Sequence, residues 1–254
     1  MLNATQHVRQ HDAVPLSDES RLTQFSICYM PQPGSALASF GRSWFGRAND
    51  GTTLQAFSLA GLGAGAAGGI TTTPDRYLGL HAPFFSPLRL REDARIEEIK
   101  TRLARFAAHR KPIETGPLKL MRAGRALVLR PAEPRPELDW LALQCFNAFD
   151  SFAAMSETAE DEHPHLSPYQ RLLLKSFGQP DVMSEYRFSM TLAGPLDHQQ
   201  LDRLSGALAP LIAGLCAEGV CVDGLSLIGT RSPTGNGRNP GAAARLLGRY
   251  ALAG

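Results

Sequence analysis

The sequence lacks the long apolar segments that membrane-spanning and exported proteins carry. No uninterrupted apolar run reaches the ~18 residues that a transmembrane helix needs. The first twenty residues, MLNATQHVRQHDAVPLSDES, contain no apolar core of signal-peptide length. We therefore predict a cytoplasmic protein with no membrane partner, and we interpret residues 1–20 as a flexible polar extension.

Charge of one sign is also scarce. The 26 Lys and Arg residues nearly balance 24 Asp and Glu residues, which leaves a formal net charge of +2. A dedicated nucleic-acid-binding protein carries a basic surplus, and an RNA surface interleaves basic residues with aromatic ones. Aromatic residues make up only 7% of this chain. A nucleic-acid partner is therefore not expected, although RNA processing stays an alternative.

The sequence offers little support for a metal or a redox centre. The spacing of the four cysteines matches neither a zinc ribbon nor a Cys-x-x-Cys pair. They are Cys28, Cys145, Cys216 and Cys221. We predict unbridged, mostly buried thiols in a reducing compartment. His163 and His165 lie beside two carboxylates, but a loop of this composition is more often solvated, so we predict no metal site.

A glycine-rich stretch gives a formal match to a dinucleotide-binding motif. Gly63, Gly65 and Gly68 spell G-x-G-x-x-G, which binds a pyrophosphate when it joins a strand to a helix. Here the motif runs into 70–74 (ITTTP), a poor start for a helix, and no second strand with a terminal acidic residue follows. The stretch 60–70 therefore predicts a loop, and we expect no cofactor.

Hydrophobic periodicity predicts an α+β protein whose 254 residues are enough for two modest lobes. The predicted strands are 24–30, 77–90 (bulged by its prolines), 117–122, 125–130, 185–192, 220–228 and 244–250. The predicted helices are 35–45, 93–109, 137–149, 167–177 and 199–217. The order strand, helix, strand, strand occurs twice. We therefore predict a first lobe at 21–135 and a second at 136–254, packed as one compact domain.

Two strands place polar residues on one face, because side chains two positions apart on a strand point the same way. The first face contains Gly79, His81, Pro83 and Phe85, and the second contains Arg187, Ser189 and Thr191. If the lobes pair by a pseudo-twofold axis, these two faces meet across one cleft.

These strands resemble a known family. The segments 76–83 (RYLGLHAP) and 185–192 (EYRFSMTL) look like the two His-x-Thr strands of the 2H phosphoesterase superfamily. More narrowly, they resemble the branch encoded beside carbon–phosphorus lyase genes, known as the phosphonate metabolism or DUF1045 family. The segments 29–35 (YMPQPGS), 43–46 (SWFG), 239–241 (NPG) and 245–247 (RLL) support that branch. The resemblance covers residues 24–252.

The resemblance implies a 2H phosphoesterase-like fold, in which two pseudo-symmetric lobes of mainly antiparallel sheet with flanking helices enclose a central cleft. Each lobe contributes one His-x-Thr motif. One histidine acts as general base and the other as general acid in cleaving a cyclic or linear phosphodiester. Imidazole suits both roles near neutral pH, and hydroxyl or Arg donors stabilise charge on the phosphoryl group. A phosphorylated small molecule is the implied partner.

The sequence departs from this pattern at the motif positions. His81 is kept, but Pro83 replaces the first threonine, and Phe85 stands where the family often has a lysine. Ser189 replaces the second histidine, and Thr191 is kept. Proline has neither a hydroxyl nor a backbone N–H, and a serine hydroxyl does not titrate near pH 7. Loss of one acid–base group costs about 10²–10⁴ in rate, so the two-histidine mechanism cannot operate as the family uses it.

We therefore predict a degraded catalytic motif in a cleft that binds a phosphorylated compound of phosphonate metabolism. One alternative is an active cyclic phosphodiesterase that uses His81 alone, and another is a non-catalytic module that binds a protein partner. The candidate catalytic residues are His81 and Thr191, and the candidate ligand-binding residues are Arg187, Ser189 and Tyr77. Arg187 could equally form an ion pair with Glu185.

Overall fold

Helices and antiparallel strands follow one another along the part of the chain that the computed structural model describes, residues 22–45, 79–154, 166–230 and 244–254. The strands are β1 (Gln24–Tyr29), β2 (Ala82–Arg89), β3 (Ile113–Glu114), β4 (Leu118–Ala123), β5 (Ala126–Pro131), β6 (Met190–Ala193), β7 (Cys221–Val222), β8 (Gly224–Thr230) and β9 (Arg245–Ala251). The helices are α1 (Ala36–Phe45), α2 (Ile96–Ala108), α3 (Pro136–Phe149), α4 (Pro168–Phe177) and α5 (His198–Leu215). The predicted α+β class is confirmed.

Several predictions fall outside the described residues. They concern the extension 1–20, the glycine-rich stretch 60–70, Tyr77, and the pair His163 and His165. Among the cysteines, Cys28, Cys145 and Cys216 are buried, Cys221 is half-buried, and no disulfide joins them in the described part. None of the helices in these ranges has the length and apolar character needed to cross a membrane.

The strands form three sheets in which every pairing is antiparallel. The largest has the order β2-β1-β8-β9, the second has the order β4-β5-β6, and β3 pairs with β7 in a short ladder. The first sheet combines β1 and β2 with β8 and β9 from the other end of the chain. The second sheet combines the β4–β5 hairpin with β6. Each sheet therefore contains strands from both sides of residue 135, and the division into 21–135 and 136–254 does not separate the sheets.

Local sequence signals explain why α2 forms and where α4 and α5 begin. In α2, Ile96, Ile99, Leu103 and Phe106 are buried at helical spacing. Helix α4 begins as predicted, because Ser167 forms a capping box with Gln170 and Pro168 occupies the first turn. Helix α5 has the same device, in which Asp197 accepts from the backbone N–H of Gln200.

Aromatic rings connect the β2-β1-β8-β9 sheet with α3 and with the segment that leads into β6. Phe85 stacks on Phe25 with ring centroids 5.2 Å apart, and on its other side it meets Phe146 of α3 at 6.4 Å. Phe84 contacts the rings of Tyr186 and Phe188 at 6.0 and 5.7 Å. Strand β2, which continues from the first motif segment, is therefore in direct contact with the second motif segment through this aromatic cluster.

The predicted strand 185–192 is shorter in the structure. Residues Met183–Glu185 form a single 3-10 turn, and ladder pairing begins only at Met190. Strand β6 pairs with β5 from Leu127↔Ala193 to Leu129↔Met190. The ladder stops near Pro131, whose backbone nitrogen has no hydrogen to donate. Residues 186–189 consequently lead into the sheet without belonging to it.

Candidate functional site

His81 lies immediately before β2 and is half-buried. Its Nδ1 atom is 2.9 Å from the carbonyl oxygen of Gly79, which adopts a φ of +73°. A carbonyl only accepts hydrogen bonds, so Nδ1 must donate. In the neutral ring the basic lone pair is then on Nε2, and the turn at Gly79 fixes that tautomer.

A bulge in β2 separates the positions that follow His81. Pro83 pairs with Cys28 and Phe85 pairs with Ile27, so one extra residue, Phe84, is inserted between them. An inserted residue reverses the alternation of side chains. Phe85 is consequently buried in the core, whereas Pro83 is only half-buried. The prediction that Phe85 shares a face with Pro83 is therefore wrong, although the bulging that the prolines suggested is present.

The second segment keeps the alternation that the sequence predicts. Phe188, Met190 and Leu192 are buried, while Ser189 and Thr191 between them are half-buried and Arg187 is exposed. Thr191 pairs with Val128 of β5, and Met190 pairs with Leu129. One position further along the two antiparallel strands, Arg130 follows Leu129 and Ser189 precedes Met190. Arg130 is therefore beside Ser189, the position at which the resembled motif has a histidine.

A cavity of about 140 Å³ lies between the two segments. Pro83 and Ser86 line it from β2, and Tyr186, Arg187 and Ser189 line it from the second segment. The structure thus brings together Pro83 and Ser189, the two positions at which the sequence departs from the motif pattern it resembles, and in the described part of the chain neither His81 nor Thr191 lines this cavity.

The remaining walls come from elements that the sequence reasoning did not connect with the site. Arg130 at the end of β5 and Gln179 just after α4 line the cavity, together with the carboxylates of Asp181 and Glu185. Arg130 could have been found from the strand register, because it follows the residues that pair with β6. Gln179 lies in a loop after the left-handed Gly178 and carries no comparable signal.

Three side-chain atoms of this wall are buried and have no hydrogen-bond partner among the described residues. They are Nε of Arg130, Nε2 of Gln179 and the hydroxyl of Tyr186. Gln179 is 3% exposed and Tyr186 is 6% exposed. The other end of the Gln179 amide is engaged, because Oε1 accepts from the backbone N–H of Ser86 at 3.2 Å.

The charges around the cavity are close enough to influence one another. Burial lowers the pKa of the Arg130 guanidinium, and the positive charge of Arg187 adds to this effect while Asp181 opposes it. Arginine nevertheless stays protonated in proteins. Burial also raises the pKa of the Tyr186 phenol well above its usual value, so the hydroxyl keeps its proton and can donate.

Arg187 is held by backbone carbonyls. Its Nη1 donates to the carbonyl oxygens of Ser184 at 2.7 Å and Tyr186 at 2.5 Å. These bonds fix one edge of the guanidinium and favour neither of the two roles considered for this residue. Its positive charge also lowers the pKa of Asp139, against the stronger effect of burial, which raises it.

A second cavity of about 510 Å³ adjoins the first. Arg130 and Arg187 line both cavities. The larger one is otherwise lined mainly by apolar and ring-containing residues, among them Met121, Leu138 and Phe188. The two arginines therefore stand at the boundary between a small polar cavity and a larger, more apolar one.

No group of three or more His, Cys, Asp or Glu side chains is arranged to hold a metal ion within the ranges that the structure describes. The polar groups of the cavity wall include hydrogen-bond donors and two arginine charges.

Residues 80–236 match the model of a family described as "Protein of unknown function (DUF1045)". The chain belongs to the DUF1045 family. The match includes His81 and both sides of the cavity, and it confirms the membership that the motif segments predicted. The DUF1045 region extends from the start of β2 to just beyond β8.

A curated relative is ribose 1,5-bisphosphate phosphokinase PhnN of Janthinobacterium sp. (strain Marseille). This DUF1045 chain is 28% identical to it over 229 residues, which are 86% of the chain and 50% of the relative. The chain thus spans about half the length of the curated relative that it matches.

Solved structures of similar overall arrangement come from several organisms. E. coli LigT complexed with 3′-AMP is 12% identical, with 92% of this chain and 99% of that chain covered and a TM-score of 0.46. The protein TT0787 of Thermus thermophilus is 12% identical, with 91% and 98% covered and a TM-score of 0.44. Usb1 of Kluyveromyces marxianus is 11% identical, with 90% and 99% covered and a TM-score of 0.42.

Proposed function

We propose that this protein binds a phosphorylated small molecule of phosphonate metabolism in the two adjoining cavities, and that it lacks the two-histidine catalysis of 2H phosphoesterases. The observation that carries the proposal is the pair Arg130 and Arg187, which line both cavities beside Ser189. Two guanidinium groups at one boundary favour an anionic ligand, and the guanidinium fork matches phosphate geometry.

The metabolic link is supported by the relative at 28% identity, whose name is ribose 1,5-bisphosphate phosphokinase PhnN. Its activity belongs to a protein about twice as long, so it gives the chemical class of ligand to test. Phosphorylated sugars are that class, because they combine a charged head with a body that can lie in a larger pocket.

The composition of the cavity wall supports the proposed loss of two-histidine catalysis. Pro83 and Ser189 occupy it where the family carries a threonine and a histidine, and neither side chain can accept or deliver a proton near pH 7. An in-line displacement needs one proton removed and another delivered. We infer that the cavity holds its ligand and does not cleave it.

A second candidate function is hydrolysis of a cyclic phosphodiester with His81 as the single acid–base group and Thr191 as a donor. The hydrogen bond from Nδ1 to Gly79 favours it, because this bond fixes the tautomer whose Nε2 can accept a proton. Water or the substrate would then have to supply the other proton transfer.

The test combines binding and turnover on the same preparations. Ribose 1,5-bisphosphate, ribose 5-phosphate and ribose are titrated calorimetrically into wild type, Arg187→Gln, His81→Ala and Arg203→Gln. The last variant removes an equal charge from the exposed face of α5. The proposal predicts binding of the phosphorylated sugars only, with a loss in Arg187→Gln and none in His81→Ala or Arg203→Gln.

Hydrolysis of 2′,3′-cyclic nucleotides and ribose cyclic phosphates is measured in parallel. Turnover in wild type that disappears in His81→Ala would establish the second candidate and overturn the non-catalytic proposal. No turnover in wild type, with activity gained in Pro83→Thr/Ser189→His, would show that the framework is intact and that catalysis was lost at these two positions.

A further inference from the structure

Three buried side-chain atoms have no hydrogen-bond partner among the described residues, and the residues that carry them all line one cavity of about 140 Å³. They come from three separate elements: the end of β5, the loop after α4, and the extended segment before β6. Buried polar groups in native proteins are almost always hydrogen-bonded, and an unmet one costs free energy. Three of them around one space therefore indicate a site that is completed by something other than the chain itself.

The orientation of the Gln179 side-chain amide shows whether its unpartnered end is a hydrogen-bond donor or an acceptor. Its Oε1 atom already accepts from the backbone N–H of Ser86 at 3.2 Å. This contact fixes which end of the amide is oxygen, because a backbone N–H can only donate. The unpartnered atom is therefore the NH₂ group, which can only donate.

The other two atoms are donors as well. Nε of Arg130 carries a hydrogen and cannot accept. The Tyr186 hydroxyl keeps its proton and can therefore donate a hydrogen bond. A water molecule could satisfy one or two of these groups, but an oxyanion, whose oxygens accept several hydrogen bonds at once, satisfies all three.

The charge of the wall is compatible with an anion held by directed donors. Asp181 and Glu185 also line the cavity, and they are balanced by the guanidinium groups of Arg130 and Arg187. The hydroxyl of Ser189 supplies one more donor at the position where the family carries its histidine. Net charge therefore contributes less to selecting the ligand than the geometry of the donors.

The size of the space limits what it can hold. With ~30 Å³ as the share of one water in the liquid, about 140 Å³ accommodates only a few non-hydrogen atoms. That is enough room for a tetrahedral phosphoryl group. The adjoining cavity of about 510 Å³ is within the range of small-molecule pockets.

We propose that Arg130, Gln179 and Tyr186 form the site for the phosphoryl group of a phosphate monoester whose organic part lies in the larger cavity. This inference rests on the proposed function and specifies where the charged head binds. Arg187, at the boundary of both cavities, contacts the ester from the outer side.

The test uses inorganic phosphate as the probe at constant ionic strength, with affinity measured by calorimetry. Wild type is compared with Tyr186→Phe, Gln179→Glu and Arg130→Gln. A hydrogen bond to a charged group changes affinity by about tenfold or more, so Tyr186→Phe should weaken phosphate binding by at least that factor. Gln179→Glu keeps the shape but replaces the donor by an acceptor, and it should abolish binding.

The matched control is Tyr169→Phe. Tyr169 is 44% exposed on α4, and its hydroxyl lies 3.5 Å from Oγ of Ser184, away from the cavity wall. Its phosphate affinity should equal that of wild type. Thermal unfolding of every variant shows whether it is folded, so a loss of binding in a folded Tyr186→Phe protein is attributable to the hydroxyl.

The outcomes separate this inference from the proposed function. If wild type binds phosphorylated sugars and Arg187→Gln loses them while Tyr186→Phe and Gln179→Glu do not, the function stands and this phosphoryl site is wrong. If phosphate binding depends on Tyr186 but no phosphorylated sugar binds more tightly than phosphate, the site stands and the function is wrong. Absence of phosphate binding in wild type would mean that water fills the cavity, which overturns the inference.

Discussion

The hydroxyl of Tyr186 leads to an unusual prediction about the free energy of unfolding of Tyr186→Phe. Replacing a buried tyrosine by phenylalanine commonly destabilises a protein, because a hydrogen bond worth about 1 ± 0.5 kcal/mol is lost. Here the hydroxyl is buried without a partner among the described residues. Its removal therefore relieves a desolvation cost, and we expect Tyr186→Phe to be more stable than wild type when no phosphate is present.

The magnitude follows from the contacts that survive the substitution. A buried polar group left unsatisfied costs about 1–3 kcal/mol, and a water molecule in the cavity would recover part of that. The ring itself is unchanged, so its stacking on Phe84 at 6.0 Å persists. We expect a gain of about 1 kcal/mol, which for a protein of this size corresponds to an increase in Tm of about 2–4 °C.

The assay is urea unfolding of wild type, Tyr186→Phe and the control Tyr169→Phe in phosphate-free buffer, repeated with added phosphate. Phosphate should stabilise wild type more than Tyr186→Phe, because a ligand stabilises the native state more strongly when its affinity is higher. The advantage of the variant should therefore shrink or reverse. A loss of about 1 kcal/mol in Tyr186→Phe without phosphate would show that the hydroxyl already has a partner, and the reasoning would be refuted.

Three further predictions concern the rest of the molecule. Burial, with smaller contributions from the carboxylates of Glu114 and Asp223, raises the pKa of Cys221 to about 11. Since the thiolate is the reactive form, the rate at which iodoacetamide labels Cys221 should rise about tenfold per pH unit up to about pH 11. Cys145 is buried and should react only after unfolding. Mass spectrometry measures the labelling of both cysteines. In α5, the Cβ added by Gly206→Ala meets no atom within 4 Å, so this substitution should raise the free energy of unfolding by about 0.5–1 kcal/mol. Gly219 has a φ of +77°, and the Cβ added by Gly219→Ala would clash with the backbone carbonyl of Gly116. Gly219→Ala should therefore lower the free energy of unfolding by more than that amount. Asp197→Ala removes the cap of α5 and should cost about 1 kcal/mol in urea unfolding, with Asp197→Asn close to wild type.

The sequence predicted those parts of the fold that depend on neighbouring residues. Helix α2 was identified from apolar residues at helical spacing, and the start of α4 from Ser167 and the proline after it. The composition of the sheets was not predictable in the same way. Strand β1 pairs with β8, and Ile27 lies opposite Leu227. Pairing over such a separation depends on packing against both faces and not on a local preference.

The candidate site shows the same division. The alternation of Arg187, Ser189 and Thr191 was predictable because no residue is inserted there. In β2 the extra residue Phe84 reversed the pattern, and two nearby prolines indicate bulging without fixing its position. The position of Gln179 in the cavity wall was not predicted from the sequence, because it depends on how the loop after α4 lies against β2 and the segment before β6.

The protonation behaviour of the cavity bears on the proposal that the protein binds a phosphoryl group without two-histidine catalysis. Proton transfer needs groups that titrate near neutral pH, and the two altered positions, Pro83 and Ser189, supply none. The donors that remain are an arginine, an amide and a phenol whose pKa is raised by burial, so none changes charge between about pH 6 and 9. Affinity for a phosphate monoester should then follow only the second ionisation of the ester, near pH ~6, and stay level above it. Groups that cannot move a proton at neutral pH make this cavity suited to retaining a phosphoryl group, and a level affinity from about pH 7 to 9, unchanged in His81→Ala, is the behaviour that this chemistry requires.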